Sequence, residues 1–90
     1  MAWTFQSAII QSDLPANARL VALVLASHCN GNGDMIGTHP IQKIAKECGL
    51  SRNTVRTAIK TLEANRLIVR YEQYDEHGGR LADHYVLVWG

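Results

Sequence analysis

Long apolar runs, cysteine and any recognisable catalytic signature are what this 90-residue sequence has little of, and each shortage removes a class of protein. The longest fully apolar stretch, Leu20–Ala26, has seven residues, whereas a membrane-spanning helix needs about 20. The opening Met1-Ala2-Trp3-Thr4-Phe5 has neither the basic start nor the long apolar segment of a secretory leader. A soluble, cytoplasmic protein is therefore expected. The two cysteines, Cys29 and Cys48, both sit in apolar helical surroundings and read as small core residues of a reducing compartment, rather than as a disulfide or metal ligands. His28, His39, His77 and His84 do not fall at ligand spacing with one another or with the cysteines. No glycine-rich phosphate loop, nucleophile elbow or paired-carboxylate arrangement is visible. The reading is of a protein that is not an enzyme and uses no cofactor and no metal.

What is present is enough for one small core. A hydrophobic content of 47% argues against disorder, and a chain this size buries roughly 60–65% of its unfolded surface. The net charge of +1 hides an uneven distribution. Residues 40–70 hold Lys43, Lys46, Arg52, Arg56, Lys60, Arg66 and Arg70 against Glu47 and Glu63, a net of +5. The remainder holds Arg19 and Arg80 against Asp13, Asp34, Glu72, Asp75, Glu76 and Asp83, a net of −4. Positive charge concentrated in one segment suits a surface that faces nucleic acid.

Along the chain, residues 1–12 mix Trp3, Phe5, Ile9 and Ile10 with polar residues and read as an arm that packs on the domain or pairs with a partner. Asp13-Leu14-Pro15 reads as a helix start, with a capping acid and a proline near the first helical position. That helix runs to about His28. Its apolar residues Leu20, Val21, Leu23, Val24 and Leu25 cover most of its circumference, which makes it the central buried helix. Asn30-Gly31-Asn32-Gly33-Asp34 ends it, and Met35-Ile36-Gly37 is long enough only for a minor strand. A second helix has Pro40 in its first turn after Thr38 or His39 as cap, with Ile41, Ile44, Ala45 and Cys48 at helical spacing. Gly49-Leu50-Ser51 breaks it. Ser51 then caps a third helix of about fourteen residues whose apolar stripe is Val55, Ala58, Ile59 and Leu62. Asn65-Arg66 closes that helix. Two strand-like segments, Leu67–Gln73 and Leu81–Trp89, follow, joined through Asp75–Arg80, where Gly78-Gly79 favours a hairpin turn. With no repeats or linkers, residues 1–90 read as a single domain, with an arm over 1–12 and a core over 14–88.

The functional weight falls on Ile41–Ile68. Ala45 is small enough for two helices to cross closely, Gly49 allows the tight turn and Leu50 fills the gap beneath it. Ser51 caps the next helix and leaves its N-terminal amides able to face a phosphate. Val55, Ile59 and Leu62 anchor that helix from below, while its opposite face displays Arg52, Asn53, Arg56, Thr57 and Lys60. Those side chains suit base edges and phosphates. Thr57 and Thr61 fit an ordinary helix surface equally well. Arg66 and Arg70 point to the phosphate backbone or to a neighbouring acid rather than to a base.

Ala45, Gly49, Ser51, Val55 and Leu62, followed by Leu67-Ile68 and a hairpin, form a pattern that resembles the winged helix-turn-helix superfamily over residues 14–88. The likeness is closest to the short modules of phage and plasmid replication proteins and of gluconate-repressor-type regulators. It implies an α+β fold of three helices with a C-terminal β-hairpin wing. It also implies a recognition-helix role for Arg52, Asn53, Thr54, Arg56, Thr57 and Lys60, and a minor-groove or phosphate role on the wing for His77 and Arg80. Asp75 and Glu76 depart from the pattern by placing acids at or near the wing tip, where phosphates would repel them.

The expectation is a sequence-specific protein of double-stranded DNA, of transcriptional-regulator type. The alternative is the origin-binding domain of a phage or plasmid replication initiator. A winged helix used only for protein contacts fits less well with the basic face of the third helix. One module touches few base pairs, so a homodimer or tandem binding is expected, with Trp3, Phe5 and Trp89 as apolar candidates either for self-association or, equally, for packing against the first helix. The end at Gly90 suits a small complete protein or an excised domain equally.

Overall fold

The structure is a computed structural model and describes residues 5–30, 33–34 and 39–88. Four helices precede a two-stranded antiparallel hairpin: α1 (Phe5–Ile10), α2 (Ala16–Ser27), α3 (Ile41–Cys48), α4 (Arg52–Ala64), β1 (Ile68–Tyr74) and β2 (Arg80–Leu87). The expected class, α+β with a C-terminal hairpin, is what forms, but with four helices instead of three. The extra helix is α1. Ile9 anchors it with no exposed surface, Ile10 stays 60% exposed, and the Ser12 hydroxyl donates to the Ile9 carbonyl just past its end. Six residues have too short a period to announce a helix in sequence, and packing on α2 supplies what propensity does not.

Helix α2 lies at the centre, against α1, α3 and α4. Its buried residues are Ala18, Val21, Ala22, Leu25 and Ala26, and three alanines on that face let neighbouring helices approach closely. Leu20 is 37% exposed and Leu23 and Val24 are half-buried, so the apolar run wraps less of the helix than the sequence suggests. The expected cap is corrected too. Pro15 occupies the N-cap position with no side-chain hydrogen bond, and Asp13, two residues earlier, is exposed. Pro40 likewise holds the N-cap of α3 itself (ψ 157°), in place of His39, which is buried. A proline's fixed φ suits the entry to a helix and needs no side-chain acceptor.

The turn between α3 and α4 forms as its residues dictate. Gly49 adopts a left-handed φ of 70°. The Leu50 amide donates to the Ala45 carbonyl at 3.0 Å and the Gly49 amide to Lys46 at 3.2 Å, the paired bonds that close a helix end. Leu50 is half-buried and packs on the core. Ser51 caps α4 by accepting from the Thr54 amide at 3.1 Å. Val55, Ala58, Ile59 and Leu62 are all buried beneath α4. Arg66, at φ 58°, closes α4 with the same pair of bonds, from Leu67 to Leu62 and from Arg66 to Glu63.

Strands β1 and β2 pair from Ile68↔Leu87 to Tyr74↔Arg80, with one irregularity. Between the pairs Tyr71↔His84 and Gln73↔Leu81, β1 advances two residues while β2 advances three. Ile68, Tyr85 and Leu87 face inward and complete the core. The Leu87 amide donates to Gly33 at 2.8 Å and Asp34 bridges Val86, so residues 33–34 flank β2. The expected minor strand at Met35-Ile36-Gly37 lies outside the described residues, as do Gly31, Asn32, Thr38, Trp3 and Trp89. Both cysteines are free and half-buried. Burial pushes the Cys29 thiol up to about 11, with Asp34 adding to the effect, and burial raises Cys48 as well. His28 ties the end of α2 to α3 through Glu47 at 2.9 Å and stacks on the His39 ring at 3.9 Å. Among the described residues no helix is long and apolar enough to cross a membrane.

Candidate nucleic-acid interface

The outward face of α4 carries Arg52, Asn53, Arg56, Thr57 and Lys60, and all five are exposed. This follows from a 3.6-residue period: with Val55, Ala58, Ile59 and Leu62 fixed on the core, the intervening positions must point away. Arg56 Nη1 donates to Asn53 Oδ1 at 3.3 Å. The bond joins an exposed amide and an exposed guanidinium one helical turn apart. Ser51 and Thr54 are used differently. Their hydroxyls lie 2.8 Å apart while Ser51 holds the Thr54 amide, so both are committed to the cap. Thr61 turns its hydroxyl back to the Thr57 carbonyl at 3.1 Å, which suits an ordinary helix surface.

Among the described residues, no carboxylate pairs with Arg52, Arg56 or Lys60. The wing cations differ. Arg70 reaches Glu63 Oε2 at 3.4 Å and Asp83 Oδ2 at 3.2 Å. Arg80 reaches Asp83 Oδ1 at 2.6 Å and Glu72 Oε2 at 3.3 Å, with its guanidinium 5.8 Å from the Tyr74 ring centre. Of the two readings open for Arg70 in sequence, the structure shows it on neighbouring acids. Burial pushes the Asp83 carboxyl up, but hydrogen bonds from Arg80 and Arg70 outweigh it and hold the group below its usual value. A cleft runs between α4 and the wing, lined by Arg56, Lys60, Glu63, Arg70, Asp83 and Tyr85.

At the wing tip, Asp75 has a structural task. Its Oδ1 accepts from the His77 amide at 2.9 Å and from the Gly79 amide at 2.7 Å, while Gly78 and Gly79 close the turn through the Asp75 backbone. A Cβ at Gly79 would stand 2.6 Å from Asp75 Oδ2, so a larger residue there would require the Asp75 carboxylate to shift. The His77 ring lies 3.7 Å from Glu76 with both side chains almost fully exposed. The predicted site residues therefore fall into three groups: a bare polar and cationic face on α4, the capping pair Ser51 and Thr54, and a wing whose arginines are already occupied.

Asp83, Glu63 and Glu72 are the residues that sequence reasoning missed. In a regular strand Arg80 and Asp83, three apart, would face opposite ways. The extra residue in β2 puts them on one side, and nothing in the sequence announces that irregularity.

Comparison with curated proteins and with solved structures finds no match. A family model described as a helix-turn-helix domain matches residues 12–68, from before α2 to the first residue of β1. The matched segment contains the α3–turn–α4 unit and is followed by the hairpin in the position of a wing. The chain belongs to the helix-turn-helix domain family, in its winged form.

Proposed function

We propose that this protein binds double-stranded DNA in a sequence-specific manner, with α4 as the reading helix in the major groove, and acts as a transcriptional regulator without catalysis of its own. The observation that supports it is the α4 face: two arginines, a lysine, an asparagine and a threonine, all exposed, on a helix whose other side is fixed by four buried residues. A major groove about 12 Å wide admits one helix, and each base pair there shows a distinct set of donors and acceptors. Arginine can grip guanine through two acceptors and asparagine can do the same for adenine. Arg52, Asn53 and Arg56 lie in the first two turns of α4, the end that enters the groove in helix-turn-helix proteins.

Selection from random duplexes, followed by titration of the winning site and a scrambled one at several salt concentrations, tests this reading. Arg56→Ala should weaken the selected site by about 1–3 kcal/mol and relax preference at one base position. Equal loss on both duplexes would remove α4 as the reading helix. The location of selected sites in the source genome then separates regulation from replication: sites at promoters support a regulator, and sites clustered at a replication origin favour the initiator role instead.

A further inference from the structure

The wing holds two arginines on the side that faces α4, and both are already bound. Asp83 is the shared partner, with one carboxylate oxygen on Arg70 at 3.2 Å and the other on Arg80 at 2.6 Å. Its side chain is only 13% exposed, against 36% for Arg70 and 49% for Arg80, so the carboxylate lies inside the fork and the guanidinium groups flank it. Glu63 adds a second contact to Arg70 and Glu72 a second to Arg80. Two guanidinium groups facing three carboxylates leave the cluster one unit negative. The cluster borders the cleft beside Arg56 and Lys60 of α4, where a backbone phosphate would pass if α4 occupied a groove.

A carboxylate spanning two guanidinium groups makes the bonds that a phosphate's oxygens would make in its place. We propose that Asp83 is an internal stand-in for a backbone phosphate. It closes a latent phosphate site formed by Arg70 and Arg80, so that the wing adds little to the electrostatic part of binding. This rests on the DNA-binding reading above. The physical reason is exchange. A phosphate entering the fork must displace an anion already there, so the net gain of charge pairing is small, and the two arginines release fewer DNA counterions than two free ones. Binding strength then comes from the unpaired cations of α4, whose contacts depend on base edges as well as on phosphates.

The test compares the full chain with Asp83→Asn, which keeps the shape and removes the charge. Each free cation that neutralises a phosphate contributes about −0.9 to the slope of log K against log salt. Asp83→Asn leaves Glu63 on Arg70 and Glu72 on Arg80 but removes the anion the two share, so the slope on scrambled duplex should steepen by about one unit and affinity should drop about threefold to fourfold further between about 50 and about 200 mM salt than in the parent. The double variant Arg70→Ala/Arg80→Ala should remove that added slope from Asp83→Asn and distinctly less from the parent. Far-UV circular dichroism confirms that each variant folds. Where Asp83→Asn does not fold, the arginine double variant in the parent background decides alone. A loss there of nearly two units shows that the wing already grips phosphates and overturns the proposal. An unchanged slope in folded Asp83→Asn overturns it equally. If the parent binds no duplex at low salt, the DNA-binding reading fails first and the Asp83 proposal falls with it.

Discussion

Helices α3 and α4 end in the same backbone turn built on different residues, and that coincidence allows a matched pair of substitutions. Gly49 closes α3 at φ 70° and Arg66 closes α4 at φ 58°, each followed by a leucine whose amide returns to the helix, Leu50 to Ala45 and Leu67 to Leu62. A residue with a Cβ in the left-handed region costs about 1–2 kcal/mol. Glycine avoids that cost but loses about 0.4–1 kcal/mol more through its freer unfolded chain. The net for Arg66→Gly is a stabilisation of about 0.5–1 kcal/mol, which raises Tm by about 2–8 °C in a domain of this size. Gly49→Ala should lower Tm by a similar amount, since the added Cβ meets no heavy atom within 4 Å and only the backbone is strained. Arg66→Ala is the control. It removes the guanidinium but keeps the strained φ, and should melt close to the parent. Thermal unfolding followed by far-UV circular dichroism, without DNA, reads all three. If Arg66→Gly melts no higher than Arg66→Ala, left-handed strain at the end of α4 is not being relieved and the reasoning fails.

Further outcomes follow from the core, the wing tip and the buried phenol. Val55 has no exposed surface, so Val55→Ala should destabilise by about 1–3 kcal/mol in denaturant unfolding. Leu50→Ala should cost less per methyl removed, because Leu50 is only half-buried; variants that both unfold like the parent would refute the register of the turn. Asp75→Ala removes the acceptor for the His77 and Gly79 amides and should loosen the hairpin by about 1 kcal/mol, read as faster hydrogen exchange at Gly79. Burial, with Asp83 adding to it, pushes the Tyr85 phenol up to about 12. Because this is a rise above the ordinary value of 10, its contribution to stability is complete below pH 10 and fades as pH climbs toward 12. Tyr85→Phe should flatten that alkaline decline, and an unaltered decline would place its origin elsewhere.

The sequence by itself determined the parts of this protein that depend on local period and local backbone chemistry. Val55, Ala58, Ile59 and Leu62 recur at helical spacing, so their burial and the outward direction of Arg52, Asn53, Arg56, Thr57 and Lys60 are two sides of one pattern. Gly49 and Ser51 mark the turn because one tolerates left-handed φ and the other supplies a capping oxygen. Only the tertiary structure decided which cations remain bare. A guanidinium's partner is set by contacts distant in sequence, Glu63 and Asp83 for Arg70, and by an extra residue in β2 that turns Asp83 toward Arg80. The same holds for α1, whose six residues gain their helix from burying Ile9 against α2, and for Asp75, an acid that looks misplaced at a wing tip until the His77 and Gly79 amides are seen to converge on it. Local pattern fixes which face a side chain occupies, while long-range packing fixes what charge that face presents.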